Sequence, residues 1–358
     1  MVVEPQPGES FASWVDRMAV RNGCPPWTLV ESLGLDVRAK AGDVRSLAYG
    51  IVANPETYEA IKSATGVDAK IVRGMHLEVF DGSAVDLAGV RVGDKESVRR
   101  AEAREWAHFF GGRACSECLA ASEGAWQMWW KLGWAGVCPI HRVGLVDHCP
   151  SCRVRIRRGS AGQPRGLSRT RVPAPLQCGA ILSGSVCDQP IPQIRTSTVS
   201  NELVHAQRMM LEVATRRRPA LIAAQVVGAS QWFAALKAIA MLVRLGMPEV
   251  LPLLDAMSPD ARRAMATEAV VRRWNRAGSA GRFGMIPQTA LVAAGLLAVA
   301  LHVVAAEREW ELAARLKPLA AAARIRWNGR HSDPLAELDL PSVFAEALDV
   351  LPRRGRRS

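Results

Sequence analysis

The chain lacks the features that most directly mark an ATPase, a hydrolase or a membrane protein. No G-x-x-x-x-G-K-[ST] run occurs in its 358 residues, which excludes a phosphate-cradling ATPase loop. No carboxylate pair and no Ser/His/Asp grouping stands out as catalytic, so no enzyme is expected. Long hydrophobic runs are scarce. Residues 290–306 carry no formal charge, yet the run is short, rich in alanine and interrupted by His302. It is expected to be a buried bundle helix, with no membrane partner. Residues 1–10 are polar and proline-bearing, so no targeting segment is expected there. No fixed-period repeat is evident in the last third.

Acidic residues are also in deficit. The chain has 46 Lys and Arg against 34 Asp and Glu, a formal net charge of +12. That balance suits a polyanionic partner such as nucleic acid. The excess is uneven. Residues 1–114 hold 14 basic and 16 acidic side chains, 115–198 hold 10 and 4, and 199–358 hold 22 and 14. A phosphate-binding surface is therefore expected in the middle or last third. The first third is left for a protein partner.

What is plentiful is cysteine in pairs. Cys115 and Cys118 form a CxxC, Cys138 and His141 a CxxH, and Cys149 and Cys152 a second CxxC; Cys178 and Cys187 follow. Thiolate and imidazole are the ligands zinc prefers, and a CxxC turn sets two sulfurs at the bite of a tetrahedral site. Two closed sets of four result. One is Cys115, Cys118, Cys138 and His141; the other is Cys149, Cys152, Cys178 and Cys187. Each predicts a structural Zn2+ with no open position for substrate. Disulfides are the alternative, disfavoured for CxxC pairs in a reducing compartment. The second set is less regular, because Cys178 and Cys187 are too far apart to form a knuckle, and His148 is an alternative ligand. Cys24 lies outside the pattern and reads as core.

The organisation expected is mainly α with small zinc-ribbon modules. Residues 1–110 read as an N-terminal helix-turn-helix-like domain, 111–195 as a tandem zinc-binding segment, 199–352 as a C-terminal helical bundle and 353–358 as a basic tail. Apolar spacing predicts a helix over 9–21, stopped at Asn22-Gly23, and a short helix after Pro25-Pro26. A second pair is predicted over 55–64 and 69–75, with Asp68 as N-cap. Helical pairs of this kind suit helix-turn-helix modules and also domains that bind no DNA. Residues 80–100 read as linker, and 96–110 contain a helix. Trp126, Trp129, Trp130 and Trp134 read first as core of a small module, with base stacking the alternative. Residues 199–350 read as all-helical, with Ser230 and Ser258 as caps.

Between the second CxxC and Cys178 lies a run of arginines without an acid: Arg153, Arg155, Arg157, Arg158, Arg165, Arg169 and Arg171. Glycine, serine and proline interleave them. A basic loop tied at both ends is expected, its guanidinium forks suited to phosphate.

Several of these residues resemble the TniQ family, which includes the TnsD-type target selectors of Tn7-like transposons. Pro5-Gln6-Pro7-Gly8 followed by Glu9-Ser10-Phe11-Ala12-Ser13-Trp14 is similar to the family's proline-rich entry and E-S-x-x-S-W, with Arg17 and Ala19 in register. Ala64-Thr65-Gly66-Val67 is similar to its next element. The ordered run from Cys115 through Trp126, Trp134, Cys138-Pro139-Ile140-His141 and Leu145 to Cys149-Pro150-Ser151-Cys152 is the most specific part. The wide Cys178–Cys187 spacing departs from the family pattern. The resemblance implies a bacterial, cytoplasmic and nucleoid-associated adaptor for transposition target-site selection. Such a protein binds target DNA or an RNA-guided targeting complex and recruits an AAA+ ATPase regulator of the transposase. The competing readings are a zinc-containing helix-turn-helix transcription regulator and a metalloenzyme.

Overall fold

The computed structural model describes residues 1–33, 49–157, 171–182, 185–257, 259–274, 285–326 and 335–349. The chain divides into two compact units. One is Met1–Asp81 with Val85–Thr198, the other Gly82–Ala84 with Val199–Ser358. Ser258 and the tail at 353–358 lie outside the described residues.

The first unit opens with two helical pairs. α1 (Phe11–Asn22) and α2 (Pro26–Ser32) form one, α3 (Pro55–Thr65) and α4 (Ala69–Gly74) the other. Gly23, at φ 60°, ends α1 in the left-handed region open to glycine. Pro26 and Pro55 sit in first turns, where no N–H is needed. The Asp68 carboxylate accepts from the Lys70 N–H and caps α4 as expected. Both pairs bury their apolar faces in one core. Phe11, Trp14 and Met18 pack there with Tyr58, Ile61 and Val72.

Residues 80–100, expected as linker, are instead built into the fold. Phe80, Val85, Leu87 and Val98 are buried. α5 (Lys95–Arg104) starts inside this stretch, where the Asp94 side chain accepts from the Glu96 and Ser97 N–H groups. It stops at Arg104 and does not reach Phe110. The following backbone is extended, and Ala107 bridges to Leu132.

Among its described residues the cysteine segment holds little regular structure: α6 (Ser116–Ala121), two 3-10 turns and two short antiparallel hairpins. β1 (Val137–Cys138) pairs with β2 (Val143–Gly144), placing Cys138 opposite Val143. β3 (Ile181–Leu182) pairs with β4 (Ser185–Val186). Trp126, Trp130 and Trp134 are at most 5% exposed, with Trp129 half-buried. Trp126 and Trp130 meet edge to face at 6.1 Å, and Trp134 lies 4.6 Å from Trp106. These indoles form core, the economical solution for a module with few apolar residues.

Among its described residues the second unit is helical with one exception. α7 (Asn201–Ala214) is followed by a hairpin of β5 (Ala220–Ile222) and β6 (Gln225–Val227). The all-helical expectation for 199–350 is corrected there. α8 (Ala229–Leu245), α9 (Leu251–Met257), α10 (Pro259–Trp274), α11 (Ala290–Val304), α12 (Glu309–Arg326) and α13 (Ser342–Asp349) complete it. Gly228, not Ser230, is the N-cap of α8. α11 packs against α7, α8 and α10. It is buried on nearly every side, which accounts for the uncharged run. A Cβ on Gly295 would lie 2.9 Å from the Ala261 Cα, so α10 and α11 cross at glycine distance. Arg244 and Glu268, both nearly inaccessible, pair at 2.8 Å between α8 and α10. No helix among the described residues is long and apolar enough to cross a membrane.

Candidate metal centres

The first four-ligand set is assembled by a helix start and a hairpin. Cys115 is the N-cap of α6, and Cys118 lies in its first turn. Cys138 ends β1, and His141 sits in the turn to β2. Arg142, at φ 59°, closes that turn and donates its N–H to the Cys138 carbonyl at 2.8 Å. The His141 N–H points at Cys138 Sγ, 3.4 Å away. His141 Nδ1 lies 3.4, 3.2 and 3.6 Å from the sulfurs of Cys115, Cys118 and Cys138. Cys118 and Cys138 sulfurs are 3.6 Å apart. Cys115 and Cys138 are fully buried; Cys118 and His141 are half-buried.

The second set joins a knuckle to a hairpin. Arg153, at φ 60°, turns the chain after Cys152 and donates to the Cys149 carbonyl at 2.8 Å. Cys178 and Cys187 flank β3 and β4. Gly179 N–H donates to the Cys187 carbonyl and Cys187 N–H to the Ala180 carbonyl, both at 2.8 Å. The hairpin thus brings the two sulfurs to one place across a spacing too wide for a knuckle. Cys149 and Cys187 sulfurs are 3.7 Å apart, Cys152 and Cys178 sulfurs 3.8 Å. His148 is not in the set; its Nδ1 lies 2.8 Å from Asp147 Oδ1.

In each set the four ligand atoms lie within 4.8 Å of one another. A tetrahedral zinc with Zn–S of about 2.3 Å and Zn–N of about 2.0–2.1 Å separates its sulfurs by about 3.8 Å and sulfur from nitrogen by about 3.6 Å. The observed spacings fit that geometry. Thiols this close, three in the first set and four in the second, cannot ionise independently. Hydrogen bonds from Cys115 and Cys118 hold Cys138 down to about 2, and hydrogen bonding to Cys115 and then Cys138 pushes Cys118 up. A central divalent cation would remove that conflict and hold all the sulfurs as thiolates. The chemistry on offer is structural: a closed ligand set holding chain segments together.

Supporting residues around the first set are less visible in the sequence. Arg113, fully buried, donates to the carbonyls of Gly133 at 2.9 Å and Ala135 at 2.5 Å. Burial lowers it to about 9. Lys131 donates to the carbonyls of His108, Phe109 and Gly111, each at 3.3 Å, and burial lowers it to about 8. The E-S-x-x-S-W run supplies a clasp to this same segment. Glu9 accepts from the Ser13 hydroxyl at 2.8 Å and pairs with Arg17 at 2.7 Å. Ser13 Oγ in turn accepts from the Trp126 N–H at 2.8 Å. Ser10 N–H donates to the Trp126 carbonyl, and Met128 N–H to the Gly8 carbonyl, both at 2.7 Å. Trp14 Nε1 donates to the Val3 carbonyl at 2.7 Å.

The arginine run divides by environment. Arg157 was expected to meet phosphate; its guanidinium instead pairs with buried Asp16 and lies 4.5 Å over the Trp126 ring. Arg155 is half-buried, 3.4 Å from His108 Nε2. Arg153 and Arg171 are exposed. Arg158, Arg165 and Arg169 lie outside the described residues.

No curated protein matches the chain. Residues 1–145 match the model of the TniQ family. That span holds both helical pairs, the clasp and the whole of the first metal set; the second set lies beyond it. The first 145 residues are therefore a TniQ-family domain.

Proposed function

We propose that the protein is a non-enzymatic adaptor of transposition target-site selection, holding two structural Zn2+ ions. It binds target DNA through the cysteine segment and the helical unit, and an AAA+ ATPase regulator of the transposase through the helical pairs of the TniQ domain. The TniQ match over residues 1–145 carries this reading. The closed ligand sets support it, since neither leaves a position for substrate. So does the charge, basic outside the first third. Arg153, Arg155, Arg158, Arg165, Arg169 and Arg171 remain the proposed phosphate contacts of the cysteine segment. Arg157 is committed to Asp16.

The experiment is co-elution of the zinc-loaded protein with the AAA+ ATPase encoded nearest its gene, with and without duplex DNA and ATP. Removing residues 1–110 would also break the clasp to Trp126, so a point variant is preferable. Ile71 on α4 is 52% exposed, and Ile71→Glu changes the surface without touching the core. Association that Ile71→Glu abolishes puts the partner surface on α4. No association under any condition, with tight binding to one DNA sequence, sinks the adaptor reading in favour of a transcription regulator.

A further inference from the structure

The second unit contains a basic groove that neither metal set explains. α7 ends at Ala214, and Arg216, Arg217 and Arg218 then turn the chain into β5. All three are exposed. With Val213, Pro219 and Val227 they line an open groove of about 260 Å³. Glu212 lies 3.6 Å from Arg218, but both side chains are nearly half exposed, so the attraction is largely screened. After Glu212 no acid occurs until Glu249. Arg217 has no side-chain partner among the described residues. Ala229, the first residue of α8, also borders the groove, and the first turn of that helix carries no acid.

The exposed Arg217 and Arg218, beside Arg216 in the chain, raise the local positive potential. An anion that repeats along a line, spanning more than one fork, complements that potential; arginine meets phosphate bidentately. The floor at Val213, Pro219 and Val227 offers no side-chain donor or acceptor for base edges. We infer that this groove takes the sugar–phosphate backbone of duplex DNA, as a contact that positions without reading sequence. The inference rests on the DNA-binding reading above and gives it a place in the second unit, beyond the family match.

The test is duplex binding by the full-length, zinc-loaded protein, followed by fluorescence anisotropy across a salt series on two unrelated sequences. The variants are Arg217→Ala with Arg218→Ala, and Arg217→Lys with Arg218→Lys. Two lost phosphate contacts should flatten the log–log salt slope by about two and weaken binding tens-fold at about 0.1 M salt, equally on both duplexes. The lysine pair should retain most of the affinity. Both variants should melt with the parent, because the side chains are exposed. If the parent binds and the alanine pair keeps its affinity and slope, the groove is not a contact and the DNA reading stands. A loss confined to one sequence overturns the backbone assignment. If the parent binds no duplex at any salt, both readings fail.

Discussion

Ser13 and His76 show how much single side chains carry in the TniQ domain. Ser13 donates to a buried carboxylate and accepts from an N–H more than a hundred positions away. His76 is 2% exposed, stacked on Phe11 at 4.6 Å, with Nδ1 2.9 Å from the Val72 carbonyl. Burial lowers its pKa to about 4. An unfolded imidazole takes up its proton near 6.5. Between those values the unfolded chain binds the extra proton, so stability present above about pH 6.5 is lost as pH falls towards 4. His76→Phe should flatten the pH dependence of urea unfolding in that window by up to about 1.4 kcal/mol per pH unit. An unchanged slope would show that His76 is not the group responsible. The two candidate ligand sets that the fold gathers were legible because zinc demands particular atoms at particular spacings. Arg113, Lys131 and Asp16 were not, because a buried cation or acid has no sequence signature without its partners.

Among elements, the strongly periodic helices were readable and the short strands were not. β5 and β6 have three residues each, and their turn, Ala223-Ala224 at φ 48° and 61°, uses no glycine or asparagine to announce itself. The hairpin between Cys178 and Cys187 is shorter still, with two residues in each strand. From the sequence their spacing is an irregularity; in the fold, β3 and β4 make it a bracket that presents two sulfurs. That bracket predicts a stoichiometric result. Cys187→Ser should reduce bound zinc from two ions per chain to one, measured by atomic emission, while Cys138→Ser does the same through the other set. Two zinc ions retained by Cys187→Ser would remove that residue from the ligand set. The end of α5 at Arg104 was also missed, since the backbone beyond it is claimed by the bridge from Ala107 to Leu132.

For the whole molecule, both metal sets fall in the first unit and neither in the second. Metal removal should therefore divide the molecule thermally. A strong zinc chelator is expected to lower the calorimetric transition of the first unit and leave that of the second in place, since the helical unit has its own core. A single transition that moves as a whole would refute that independence. The intimacy of the helical pairs with the cysteine segment was hidden from the sequence, because it depends on hydrogen bonds between positions 113 residues apart. That separation is also an interval of time. At roughly 5–20 residues per second, the ribosome delivers Trp126 about 6–23 s after Ser13. Through that interval α1 is complete, but Ser13 still lacks the Trp126 N–H. The chain's first helix is thus among the first elements made but is secured only after the cysteine segment follows, and until then it is exposed to chaperones and proteases.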